Sequence, residues 1–220
     1  MIHYFHNQDS NIVVSQDMWI IDQAFQTTYQ KTITIKEHAK LRYCLIWDAS
    51  QISLDVIHQG IGAESQITML AFSKAGTSDA YTICSILEQA QTLSDVTMTT
   101  LLYSWSSSIV DGMVVIKPWA DGSSGHLHEK NIVLWQPVNI HTLPQLDIHH
   151  HNVSAGHGAT IDTIDDRNLF YLMSKGIDKQ MALQLILQGV LEHSLAGYPR
   201  DDSLTNLQIT LLDRIIAYQS

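Results

Sequence analysis

The chain has 220 residues and carries 12 basic against 22 acidic side chains, a formal net charge of −10. No segment clusters Lys and Arg, which argues against the phosphate-neutralising surface that nucleic acids and anionic membranes require. Hydrophobic residues make up 45% and charged residues only 15%, against a usual charged share of ~25%. The chain therefore has enough apolar side chain for a core, and its polar surface must come largely from Ser, Thr, Gln, Asn and His.

No apolar run approaches the ~20 residues of a membrane-spanning helix. The opening MIHYFHNQDSN lacks the basic start and apolar centre of a secretory leader, so the expectation is a cytoplasmic protein of one domain, with or without a small appendage. Cys44 and Cys84 each sit inside an apolar run, LRYCLIW and YTICSIL, and read as two buried free thiols. There is no Cys-x-x-Cys spacing to cage zinc or an iron–sulfur cluster.

In chain order, residues 1–31 give little periodic signal beyond Ile12-Val13-Val14. From Lys31 onward, short strand-like runs begin near Ile33, Ile52, Ile67, Thr82, Thr97, Met113 and Ile132, at intervals of 15–19 residues. Ile33 and Ile35 alternate with Thr32 and Thr34, and Ile52, Leu54 and Val56 with Ser53 and Asp55. Turn signals such as Gly60-Ile61-Gly62, Lys74-Ala75-Gly76, Asp111-Gly112 and Asp121-Gly122 separate the runs. The intervals exceed the ~8–12 residues of sandwich strands and are poor in helix formers. A solenoid of stacked strands fits, although pattern alone leaves a β-sandwich open.

Leu146 and Ile148 alternate with Gln145 and Asp147, which predicts a last short strand near Ile148. A histidine-dense turn follows, with His149, His150, His151 and then His157 between Gly156 and Gly158. The period then changes. Asp165 is placed to cap a short helix stopped by Gly176. Asp178 caps a second helix whose apolar positions are Ala182, Leu185, Ile186, Gly189 and Val190. Asp201-Asp202-Ser203 opens a third, with Leu204, Leu207, Leu211, Leu212 and Ile215. Short helices of this kind must pack on something, and the end of a solenoid needs a cap.

Neutral imidazole ligates zinc, iron or copper. His157, His149 and His151 are therefore candidate cluster or metal residues, since in a strand His149 and His151 would share a face. His126-Leu127-His128-Glu129 is a second candidate pair. It permits a cupin-like, metal-dependent enzyme using His126, His128 and part of His149–His157. Gly60-Ile61-Gly62 lacks the third glycine of a dinucleotide site. No P-loop, Gly-x-Ser-x-Gly elbow or Cys/His nucleophile pair is present.

Three spaced pieces carry a resemblance: Pro144-x-Leu146-x-Ile148, then His157-Gly158-Ala159-Thr160, then Leu169-Phe170-Tyr171-Leu172-x-Ser174-x-Gly176-Ile177. Together they resemble the end of the SufB/SufD family, scaffold components of the SUF iron–sulfur cluster assembly system. Looser similarity runs back to about Gln51, through Gly112-x-x-Val115-Ile116-x-Pro118, and forward through Leu187-x-x-Gly189. The resemblance implies a mostly β protein: a right-handed parallel β-helix core over residues 1–160 and a C-terminal three-helix module over 161–220. The winding is expected from about Lys31 to Ile148, with the residues before Lys31 unassigned.

The resemblance further implies a non-enzymatic scaffold or accessory subunit acting with a SufC-like ABC ATPase. A second SufB/SufD-like subunit, or a second copy as a homodimer, would pair with its β-helix. It places His157 on the histidine of the SufD-type His-Gly-Ala-Thr motif, implicated in cluster assembly between subunits. SufB-type members have Glu where this chain has Gly158, so the chain resembles SufD. The family often has a cysteine two residues before that histidine, where this chain has Ala155. The expected cargo is accordingly a transient iron–sulfur cluster or iron, with no cofactor held tightly. The ATPase would dock on Leu169, Phe170, Tyr171, Gly176, Leu187, Gly189 and Val190. Phe170, Tyr171, Leu187, Val190, Leu191 and Tyr198 exceed the needs of one short cap, so part of that surface should pack and part should remain open. Family members are commonly longer, with an N-terminal helical region not seen here, so a short form is expected. An interaction module that has kept the fold without the chemistry is the remaining alternative, suggested by Ala155.

Overall fold

The computed structural model describes residues 2–5, 10–24, 28–47, 50–164, 166–198 and 202–217. In chain order the strands are β1 Ile2–Phe5, β2 Asn11–Val14, β3 Met18–Ala24, β4 Thr28–Ile35, β5 Lys40–Trp47, β6 Gln51–His58, β7 Glu64–Ser73, β8 Ser78–Leu87, β9 Leu93–Leu102, β10 Ser107–Ile116, β11 Ser124–Val133, β12 Asn139–Thr142, β13 Gln145–Ile148 and β14 Ser154–Thr163. Three helices follow: α1 Asp166–Ser174, α2 Lys179–Ser194 and α3 Asp202–Ala217.

All described pairings are parallel. Up to β11 successive strands alternate between two sheets. One runs β1-β3-β5-β7-β9-β11-β14, and the other runs β12-β10-β8-β6-β4-β2 with β13 also on β10. Corner backbone repeats the alternation. His38 N–H donates to Ile61 O, Gly62 N–H to Ala90 O, Gln91 N–H to Asp121 O and Gly122 N–H to Asn152 O. Each corner's donor is thus satisfied by the next, as buried or turn backbone requires. Pro144 removes an N–H from the ladder, and there the last strand of the second sheet is split into β12 and β13.

The core lies between the sheets. Inward positions such as Ile33, Leu54, Ile83, Val110 and Val114 are fully buried and belong to one cluster. Strands are also present where the sequence showed little signal. Three lie before Thr28, and β5 had no separate prediction. LRYCLIW fails to alternate because both faces are covered: Leu41, Tyr43 and Leu45 face the core, while Cys44 and Ile46 belong to a second cluster beneath the helices. The strands also extend past Ile148. Ser-Ala-Gly-His-Gly-Ala-Thr is poor in β formers, yet β14 pairs with β11 over ten residues.

The helices do not cap an end of the sheets, as the sequence suggested. They lie on the outer face of the first sheet, where Leu187, Leu191, Leu195, Tyr198, Leu207 and Leu211 pack with Ile21, Cys44, Ile46, Leu70, Phe72, Leu101 and Ile132. Arg42 on β5 donates to Gly197 O and lies 4.8 Å over the Trp19 ring, and Trp19 meets Tyr198 edge-on. Asp178 caps α2 by accepting from Met181 N–H at 3.0 Å. Gly176 follows α1 at φ +85°, a left-handed conformation suited to glycine. The expected cap at Asp165, and Asp201, Leu204 and Ile215, lie outside the residues or side chains described. The buried stripe of α2 is Ala182, Leu183, Leu187 and Leu191, so Leu185 and Gly189 belong to the open side.

A buried polar knot closes the early strands. Asp22 accepts from Tyr29 and Tyr43, each at 2.7 Å, and from Lys31; the Lys31 and Asp22 side chains are essentially inaccessible. Removing one member of a buried pair leaves the other charge uncompensated. Lys31→Met should therefore destabilise the chain by ~3 kcal/mol, measured by urea unfolding. A change under 1 kcal/mol would show that the pair is not a structural requirement.

Candidate functional site

Register places His157. In the first sheet Ile20, Tyr43, Ile67, Val96, Leu127 and His157 stand opposite one another on β3, β5, β7, β9, β11 and β14. In-register residues share a face, and this is the core-facing side: the first five members are buried. The sixth is exposed, because β14 is the terminal strand of its sheet. An imidazole therefore occupies the last rung of an otherwise buried row, on the open end of the core. Around it Ile148 and Ile161, also on core-facing rows, are 44% and 52% exposed. Ala155, two residues earlier on the same face, offers no ligand.

Beneath the imidazole lies a polar network. Glu129 on β11 is buried, its carboxyl accepting from Gly112 N–H at 2.7 Å and from the Thr142 hydroxyl. A Cβ at Gly112 would meet Glu129 Oε1 at 2.8 Å and Leu127 Cδ1 at 2.7 Å, so only glycine lets the carboxyl reach that amide. Asn131 Nδ2 donates to Thr142 Oγ1 and Thr160 O, both at 3.3 Å. Burial raises the Glu129 carboxyl above the usual range, opposed by its hydrogen bonds and by nearby His157. Glu129 was visible in the sequence only as the residue after His128. The alternation His126-Leu127-His128-Glu129 already put it on the Leu127 face, opposite the two histidines.

The other histidines do not join this site. His149, His150 and His151 lie in the turn after β13, not in a strand. His149 Nε2 sits 2.9 Å from Asp147 Oδ1. His150 stacks on His151 at 4.9 Å, and its Nδ1 accepts from Asn152 N–H. His126 and His128 point to the outer face of β11, beside Gly156 and Gly158. Among the described residues no three His, Cys, Asp or Glu side chains converge as a metal site. The set that a cupin-like enzyme would need is not assembled.

The helical residues named from sequence divide. Phe170 and Tyr171 are 74% and 60% exposed, and Met173, Met181 and Leu185 extend that open apolar surface. Leu169 and Val190 are half-buried, while Gly176 and Gly189 are exposed. Leu187 is fully buried in the core beneath the helices, so it is not a surface position. Nothing lies within 4 Å of a Cβ built on Gly189.

Both thiols are chemically quiet. Burial pushes Cys44 well above its ordinary range. Burial, with Asp55 and Asp111 adding to it, raises Cys84 to about 11.

Comparison with known proteins gives concordant matches. A sequence profile described as "SUF system FeS cluster assembly, SufBD core domain" matches residues 4–190. A stretch of 88 residues is 32% identical to the iron–sulfur cluster assembly protein SufD of Escherichia coli, covering 40% of this chain and 21% of that protein. An iron–sulfur cluster assembly SufBD family protein of Archaeoglobus fulgidus is 35% identical over 75 residues, which is 34% of this chain and 20% of the relative. A family counterpart from Mycobacterium leprae is 37% identical over 79 residues, 36% and 20% of the two chains. The matched stretches thus span about a fifth of these relatives.

Two outcomes follow from this geometry. Gly189→Ala should stabilise the isolated chain by ~1 kcal/mol through helix propensity, read from thermal or urea unfolding; destabilisation would mean that an unseen close approach requires glycine. Alkylation of the folded chain at pH 8 should be slow, since about one Cys84 in a thousand is then thiolate, and should accelerate as pH rises toward 11. Rapid labelling at pH 7 would contradict the buried, inert reading.

Proposed function

Because this chain belongs to the SufBD family of iron–sulfur cluster assembly proteins, we propose that it is a SufD-like scaffold subunit that presents His157 to a transient iron–sulfur cluster or iron at a joint between two subunits. The observation that carries this reading is the position of His157: a core-facing imidazole on a terminal strand, exposed, with apolar neighbours and no thiolate beside it. One histidine cannot hold a cluster, so the reading needs a facing subunit. That subunit is a second SufB/SufD-like chain or another copy of this one. The unpaired edge of β14 and the exposed Ile148 and Ile161 support it, since an open strand edge and an apolar patch both favour association.

In this reading the alternation of strands between two parallel sheets is the winding of a right-handed β-helix, running through Thr163, with α1–α3 as the helical module. The apolar surface of Phe170, Tyr171, Met173, Met181 and Leu185 receives a SufC-like ATPase. The subunit works in the cytoplasm, binds no nucleic acid or membrane, and catalyses nothing alone. Among the described residues no helix is long and apolar enough to cross a membrane.

Two variants test the reading. His157→Ala should lose cluster assembly on the reconstituted complex by at least about tenfold, whereas replacing His149, His150 and His151 together with alanine should retain it. Phe170→Asp, at a site 74% exposed, should keep its melting temperature and lose capture of the ATPase. Assembly unchanged in His157→Ala would leave a pairing module without cluster chemistry. Undiminished capture by a folded Phe170→Asp would place the ATPase elsewhere.

A further inference from the structure

Glu129 is buried at 2% exposure, and among the described residues no Lys, Arg or His lies within ion-pair distance of its carboxyl. Buried carboxylates are paired with a cation, hold a metal or are protonated. Its hydrogen bonds to Gly112 and Thr142 occupy one acceptor position on each oxygen and leave others free. Two residues on, along the same face, Asn131 Oδ1 is a buried acceptor with no partner. Leu127 stands opposite His157, so Glu129 is the diagonal neighbour of that histidine on the core side. Strand spacing and rise put the two Cα atoms about 8 Å apart, a separation that a Glu and a His side chain can close onto one ion. Imidazole with carboxylate is a donor pair suited to ferrous iron.

We propose that Glu129 is an iron ligand at the open end of the core, its carboxylate and the His157 imidazole forming a two-residue half-site that a facing subunit completes. The proposal rests on the reading of His157 as the cargo-facing residue. It places a carboxylate on β11 beside Ala159, its register partner on β14, which supplies no ligand. Two donors from one chain bind iron weakly, and binding strengthens when subunits face each other or when a third donor is added.

The test is an anaerobic titration of the full chain with Fe(II) alone, and with Co(II) as a spectroscopic probe, in wild type and in Ala159→Cys. The added thiolate stands two residues after His157 on the same face and directly opposite Glu129, tightens binding and gives a sulfur-to-cobalt absorption band. Glu129→Gln keeps an acceptor for Gly112 N–H, so the fold should persist. In the Ala159→Cys background it should weaken Co(II) binding by about tenfold or more and shift the ligand-field bands. His157→Ala should do at least as much. Thr142→Val loosens the network but leaves both ligands, and should bind within about threefold of its parent. Glu129→Gln equal to its parent, with His157→Ala impaired, would overturn the Glu129 assignment and leave His157 standing. His157→Ala equal to its parent would overturn both. Thr142→Val as impaired as Glu129→Gln would reduce Glu129 to a structural role and overturn the proposal.

Discussion

A parallel sheet built in register repeats each inward position in every strand, and its terminal strand must expose the row that its neighbours bury. That constraint governs this molecule. The row Ile20, Tyr43, Ile67, Val96 and Leu127 is core throughout, and its continuation on β14 is His157. An aliphatic residue there would present only apolar surface to water or to a partner. A histidine keeps the shape and adds a ligand. One row over, Leu45, Met69 and Met98 lie between Asp22 on β3 and Glu129 on β11, both buried one strand in from the ends of the sheet. Buried charge is expensive within a stack and more tolerable near its ends, where hydrogen bonds or a bound ion can compensate it.

The helical tail makes this end available. Its buried leucines pack on the outer face of the first sheet, turning Cys44 and Ile46 into core, and it is anchored at Trp19 and Arg42. Because it lies on a face, the strand edge at β14 stays open. The apolar side of α1 and α2 that it leaves exposed is a separate surface, joined to neither His157 nor Glu129 by any described contact. Two surfaces of different chemistry, one apolar on the helices and one mixed on the strand edge, match the two kinds of partner proposed for the chain.

Much of this was legible in the sequence where a physical signal was strong. The alternation at Ile33/Ile35 and Ile52/Leu54/Val56, the turn glycines Gly60, Gly62, Gly76 and Gly122, the Asp178 cap and the Gly176 stop all have local causes, and each stands in the structure. Asp111-Gly112, read as a turn, lies inside β10, where the glycine makes room for the Glu129 carboxyl. The first three strands and β5 were hidden for opposite reasons. Residues 1–31 mix polar and apolar residues irregularly, whereas LRYCLIW is apolar on both sides because a tail more than a hundred residues away covers one of them. β14 was read as a turn because its glycines and serine argue against a strand, and only its pairing with β11 makes it one. His157 was singled out through its motif. Glu129, Thr142 and Asn131 come together by strand register, and short-range pattern does not encode that.

Hydrogen–deuterium exchange of the peptide spanning Ser154–Thr163 tests the central claim most directly. It should be followed on the chain alone and with increasing amounts of a SufB-type subunit or of the chain itself. If the β14 end is the joint that presents His157, its amides gain protection on pairing while those of α1 and α2 do not, and α1 and α2 gain protection only when the ATPase is added. Pairing that protects another edge and leaves β14 exchanging as in the single chain would contradict the account.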